Sequence, residues 1–341
     1  MVFSIDSIKN KPNRLLSVTP ETFIDFENKS FFIETLQYLS EESQTFDYCF
    51  ESIINEGVGK NIIKILFTRI DYKKLIKKII DSFIALLEKI WNNFYSFLMN
   101  FFSKNDVIKH NRTALENIKE EIYFSESRFI YTNLGLNTSY TSFKNELEKE
   151  FTDLLLDMSS FTQYTTYEQF FLKIEDIRNK IDMSENYYNI LRGKIVGSTN
   201  TISKEDFASS LFKYFRHDGI EIGEGNITSS EIRVCTEQYF DYKKSIKQIQ
   251  KDKKDLIDTS KKLQNDILSI NLDKYTSIDI PVEAQKVLVK VLENKSRRIQ
   301  ETCKIYLQVF SAKLDAVKDS YVQSQKILFE ACKSLAREGK L

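Results

Sequence analysis

Glycine and proline are scarce in this chain, with 9 Gly and 3 Pro in 341 residues. Proteins built of strands and turns need many more of both, so the shortage argues against a sandwich or barrel and for long helices. Histidine is scarcer still, and its two copies, His110 and His217, stand far apart with no ligand spacing around either. The four cysteines, Cys49, Cys235, Cys303 and Cys332, lack metal-ligand spacing and read as free thiols of a reducing compartment. Met1 to Ile8 lacks the basic start and apolar core of a secretory signal. No HExxH, paired CxxC, Walker loop or Gly-x-Ser-x-Gly elbow occurs. The nearest approach to a phosphate loop, Gly57-Val58-Gly59-Lys60, has neither the spacing nor the hydroxyl residue after Lys. The sequence thus reads as non-enzymatic, with no catalytic, cofactor or metal residues to assign.

What the chain has is charge and apolar periodicity. It is 29% charged and 42% hydrophobic, the balance of a folded rather than a disordered protein. Net charge is zero, but its distribution is uneven. Residues 1–56 hold ten acids against Lys9, Lys11, Arg14 and Lys29, a net of −6. Residues 57–104 hold nine bases against Asp71, Asp81 and Glu88, a net of +6. An acidic head pairing with a basic neighbour in one fold would give the same pattern.

Within 71–104, polar residues recur at Lys77, Lys78, Asp81, Glu88, Lys89, Asn92, Asn93, Ser96, Asn100 and Ser103. Bridged by Ala85, these steps of three and four trace one stripe along a helix. Ile79, Phe83, Leu86, Leu87, Ile90, Phe94, Phe97, Leu98 and Phe101 fill the opposite face. A helix of about thirty residues runs ~45 Å, enough to cross a bilayer. Its internal charges and paired Asn residues exclude a transmembrane span. Burial in a bundle, contact with a membrane surface or packing against further copies are the three uses left.

The charge reversal coincides with Ile53-Ile54-Asn55-Glu56-Gly57. Ile-x-Glu before a small residue resembles the site at which prohead proteases of large tailed phages cut, and Gly57 and Gly59 favour the extended backbone a protease needs. The pattern recurs at Ile222-Gly223-Glu224-Gly225 and at Leu328-Phe329-Glu330-Ala331, the latter inside an expected helix. Acidic leader, junction and basic-aromatic helix together resemble the internal head proteins of myovirus-type phages over roughly residues 30–104. That resemblance implies a structural virion protein of the capsid interior, assembled in the host cytoplasm and cut after Glu56. It implies Ile54, Glu56 and Gly57 as the cleavage junction. The implied partners are the prohead protease, other head and core proteins, further copies through the helices, and packaged DNA without sequence readout. Two other classes fit the residues: a membrane-active, pore-forming-like helical protein using 71–104, and a cytoplasmic coiled-coil adaptor.

The expected fold class is all-α. Residues 107–122 continue in helical style, 131–142 read as a loop, and 143–156 and 167–181 as amphipathic helices. Ser203 with Asp206 marks a helix start. The stretch His217 to Asn226, with Asp218, Glu221 and Glu224, reads as a solvated connection rather than a cation loop. From Tyr239, a heptad seam runs through Tyr242, Ile246, Ile249, Lys253, Leu256, Ser260, Leu263, Ile267 and Ile270. Pro281 opens a second helix that meets no Gly until Gly339. These two helices are expected to form a long coiled-coil-like hairpin. The expected units are a propeptide (1–56), a basic amphipathic segment (57–104), a helical middle domain (105–235) and the hairpin (236–341).

Overall fold

In a computed structural model, the described residues are 31–32, 35, 72–103, 106–124, 128–131, 145, 184–217, 219–222, 225–268 and 282–340. Eight helices and four short strands are assigned in order among them: α1 (Tyr72–Ser103), α2 (Asp106–His110), α3 (Arg112–Glu116), β1 (Ile122–Phe124), β2 (Arg128–Tyr131), α4 (Ser184–Ile195), α5 (Lys204–His217), β3 (Gly219–Ile222), β4 (Gly225–Ile227), α6 (Ser229–Phe240), α7 (Tyr242–Leu268) and α8 (Val282–Arg337). The all-α class holds. The expected helices at 143–156 and 167–181 and the loop at 131–142 lie essentially outside the described residues.

The 56 residues of α8 form the spine of the fold. At 1.5 Å per residue it is ~84 Å long. Helices α1 to α6 and strands β1 and β2 all pack on it. Around its middle the burial extends to every side, because Ile305, Tyr306, Leu307, Val309, Phe310, Ala312, Leu314 and Val317 are all enclosed. A helix apolar on one face only needs one neighbour; one buried all round must be wrapped. Buried side chains from Phe31 to Leu335 join a single hydrophobic cluster. The helix ends at Gly339, whose φ of +69° is the left-handed conformation a C-terminal stop uses.

Helix α1 lays down the face its spacing predicts, except that Asn93 of the polar stripe and Leu86 of the apolar face are both half-buried. Lys77, Lys78, Asp81, Ala85, Glu88, Lys89, Asn92, Ser96, Asn100 and Ser103 are exposed. Ile79, Phe83, Leu87, Ile90, Phe94, Phe97, Leu98 and Phe101 are buried. The partner of α7 differs from expectation. The coiled-coil-like hairpin of the last two helices is not confirmed, since α7 takes α1 as its main neighbour. Gln264 donates to Asp81 Oδ1 at 2.8 Å, the Lys253 ammonium lies 5.6 Å from the Trp91 ring centroid, and Tyr242 stacks on Phe102 at 3.9 Å. Residue numbers rise on one helix as they fall on the other, so the pair is antiparallel. The expected seam has Ile246, Ile249, Leu256 and Ser260 buried and Tyr242 and Lys253 half-buried, and the side chains of Leu263, Ile267 and Ile270 lie outside those described. It crosses a break at Asp241, where α6 ends and α7 begins.

Two stretches depart from expectation, one read as helix and the other as a solvated connection. Val107 to Ile122 divides into α2 and α3 at Asn111, and Ile122 opens a strand. The supposed connection after His217 supplies β3 and β4. Strand β1 pairs antiparallel with β4 (Ile122 opposite Ile227) and β2 with β3 (Arg128 opposite Ile222). The register shifts by one residue between the two pairings. Ile220-Glu221-Ile222 does alternate apolar and polar, a signal too short to stand against the surrounding helices.

Local capping agrees with the sequence. Asp206 N–H donates to Ser203 Oγ at 3.1 Å, and Ser203 Oγ donates to Asp206 Oδ2 at 2.8 Å. At α6, Thr228 Oγ1 accepts from Glu231 N–H at 3.3 Å while Thr228 N–H donates to Glu231 Oε2 at 2.7 Å. This reciprocal box satisfies two N–H groups that the helix leaves over. Replacing Thr228 by Ala is expected to cost about 1 kcal/mol, read as a lowered urea midpoint at unchanged slope.

Candidate functional site

The cleavage junction read from the sequence, Ile54, Glu56 and Gly57, lies outside the described residues. Its two repeats fall in different settings. Ile222 ends β3 and Gly225 begins β4, with Glu224 outside the described residues. Leu328 and Ala331 lie in α8 with 0% exposure, so that copy is closed to any protease while the fold stands. Of the candidate cation ligands, Glu221 faces Phe129 across the ribbon, and Asp218 and Glu224 lie outside the described residues. Among the described residues no group of three His, Cys, Asp or Glu is placed to hold a metal ion, and no helix is long and apolar enough to cross a membrane.

The most elaborate polar arrangement is one the sequence did not announce. Asp315, on the buried middle of α8, accepts two consecutive backbone N–H groups, Phe31 to Oδ1 at 3.0 Å and Phe32 to Oδ2 at 2.9 Å. Phe31, Phe32 and Thr35 are helical, and Thr35 Oγ1 donates to Phe31 carbonyl oxygen at 2.7 Å. Asp315 therefore does for this turn what an N-cap carboxylate does locally, from 283 residues away in sequence. A carboxylate so deeply buried is tolerable because both its oxygens take charge-assisted bonds.

The two rings fix the turn on either side. Phe31 meets Phe94 of α1 edge-on at 5.8 Å, and Phe32 meets Phe212 of α5 edge-on at 5.7 Å. Lys318, one turn along α8 from Asp315 and itself buried, holds its ammonium 6.0 Å from the Phe31 ring and 5.8 Å from the Phe97 ring. Phe31, Phe32 and Thr35 are 2%, 5% and 0% exposed, so part of the acidic leader is core.

A second cluster joins the far end of α1 to the α6–α7 break. Phe102 packs on Tyr239 at 5.1 Å, Tyr242 at 3.9 Å and Tyr321 at 5.3 Å. Gln238 of α6 donates to Ser320 at 2.8 Å and accepts from Ser324 at 3.2 Å, tying α6 to successive turns of α8. This arrangement holds helices together; it presents no nucleophile to solvent.

The three described cysteines are similarly closed. Burial pushes the thiols of Cys235, Cys303 and Cys332 up to about 12. Reactivity follows the thiolate, and none forms near neutrality. In a Cys49→Ser variant, a thiol-reactive dye at pH 8 is expected to label fewer than one group per native chain, and three after denaturation. Prompt native labelling would contradict the enclosed core.

No family model, curated protein or solved structure matches this chain. Its function rests on its own residues.

Proposed function

We propose that the chain is a non-enzymatic structural protein of a phage virion, carried inside the head as a core or internal protein and cut after Glu56 during maturation. The observation that carries this reading is the coincidence of Ile54-Asn55-Glu56-Gly57 with the reversal from −6 to +6. Removing residues 1–56 from a neutral chain leaves a remainder of about +6, a charge that tolerates packed DNA without reading its sequence. The protease, the other head proteins and further copies of the chain are its partners in this account. A fold organised around one wrapped helix, with chemistry kept in its interior, suits a packing role.

Protease protection tests the reading. Purified particles treated with an external protease should keep the protein intact, and lose it after the capsids are opened. Digestion in closed particles, or absence from them, would sink it.

The membrane-active alternative meets a specific difficulty. The apolar face of α1, from Ile76 to Phe102, is already covered by α7 and α8. Insertion would require that face to leave the core. The folded protein is accordingly expected to leave anionic liposomes unbound at neutral pH in a flotation assay. Stoichiometric flotation of folded protein would favour the membrane reading. A discrete oligomer of uncut chains from the natural source would favour the adaptor.

A further inference from the structure

The contacts of Phe31, Phe32 and Thr35 have a consequence for any cut between residues 36 and 71. The turn is held by Asp315 and Lys318 of α8, Phe94 of α1 and Phe212 of α5, all of them beyond residue 71. Both carboxylate oxygens of Asp315 are committed to backbone N–H groups of the turn. The two rings and Thr35 are almost wholly enclosed. The carboxylate bonds fix the backbone at Phe31 and Phe32, while the two rings fix the rotation of the turn. Such a surface recognises an N-terminal helical turn with adjacent aromatics, whether or not that turn belongs to the same covalent chain.

We propose that this surface is a receptor for residues 31–35 that functions without the covalent link, so the N-terminal segment stays bound after a cut between residues 36 and 71. Under the maturation proposed above, cleavage would then leave a two-fragment protein. Release of the leader, and uncovering of Phe94, would need a further event such as a second cut or a competing segment. The inference stands on the contacts, and it survives if no natural cut occurs after Glu56.

The experiment places the cut deliberately. A site-specific protease sequence inserted between Glu56 and Gly57 of the full chain is cleaved, and the product is run on a sizing column with intact-mass detection. The leader should co-elute with residues 57–341 at micromolar concentration. In a Phe31→Ala/Phe32→Ala variant, at least tenfold less leader should be retained. A wild-type leader that separates from a folded remainder overturns the proposal. Amide exchange on the uncut protein keeps the test decisive if the cut product aggregates. Asp315→Ala should lower protection of the Phe31 and Phe32 amides at least tenfold while α6 and α7 keep theirs. Unchanged protection at Phe31 and Phe32 in that variant also overturns it.

Discussion

Raising the pH from 8 to 11 is expected to unfold this protein cooperatively, through its buried thiols. Cys235, Cys303 and Cys332 are neutral in the fold, with burial holding them near 12 against an ordinary value of 9. Their exposures are 0%, 4% and 0%, so little solvent screening intervenes. Between pH 9 and 12 the unfolded chain has released these protons and the folded chain has not. The unfolded state then binds fewer protons, and stability falls as pH rises. Below pH 9 the contribution is complete and pH-independent. Each thiol removes about 1.4 kcal/mol per pH unit in that window, so three remove roughly 8 kcal/mol by pH 11. That equals much of the 5–15 kcal/mol typical of a domain. Burial raises the phenols of Tyr239 and Tyr321 as well, which adds to the loss above pH 10. Circular dichroism at 222 nm against pH measures the transition. Replacing all three cysteines by Ala should move its midpoint up by about a unit relative to the variant's own stability at pH 8, and an unmoved midpoint would show that the thiols are not the cause.

The second large effect separates two neighbours on α1. Phe94→Ala is expected to cost about 3–5 kcal/mol, because a fully enclosed ring leaves a cavity beside Phe31 and Trp91. Tyr95→Ala, one position on, should cost under about 1 kcal/mol, since Tyr95 is 43% exposed and its ring stacks on Trp91 from outside the core. Denaturant unfolding of the two variants reads the difference as a shift in midpoint. Similar losses at both positions would mean that α1 does not bury the face described.

That face was legible because an amphipathic helix writes its orientation into the spacing of its own residues. The bounds of α8 were legible for a related reason: Pro281 and Gly339 bracket a run with no other breaker. Its apolar spacing, read through Ile299, Ile305, Tyr306, Val309, Val317, Tyr321, Leu328 and Leu335, falls on buried positions. What stayed hidden is pairing between distant segments. The heptad seam of α7 specifies a partner with a matching apolar stripe, and both α1 and α8 carry one, so the sequence could not choose between them. Strands β1 to β4 are three or four residues long and draw their hydrogen bonds from segments about a hundred positions apart. Charged residues on helices usually form a solvated face, yet Asp315, Lys313 and Lys318 are buried. Their burial depends on Phe31, Phe97 and Phe215 arriving from elsewhere in the chain. No local pattern around Ser30 or Thr35 points to α8. Hence the leader reads as detachable in the sequence, while three of its residues lie in the core.

The N-terminal sequence and denatured intact mass of the protein taken from its natural source test the maturation reading most directly. A large fragment beginning at Gly57, with a mass matching residues 57–341, is the predicted result. A chain that still begins at Met1, or one cut at another position, would contradict cleavage after Glu56 and the virion role built on it.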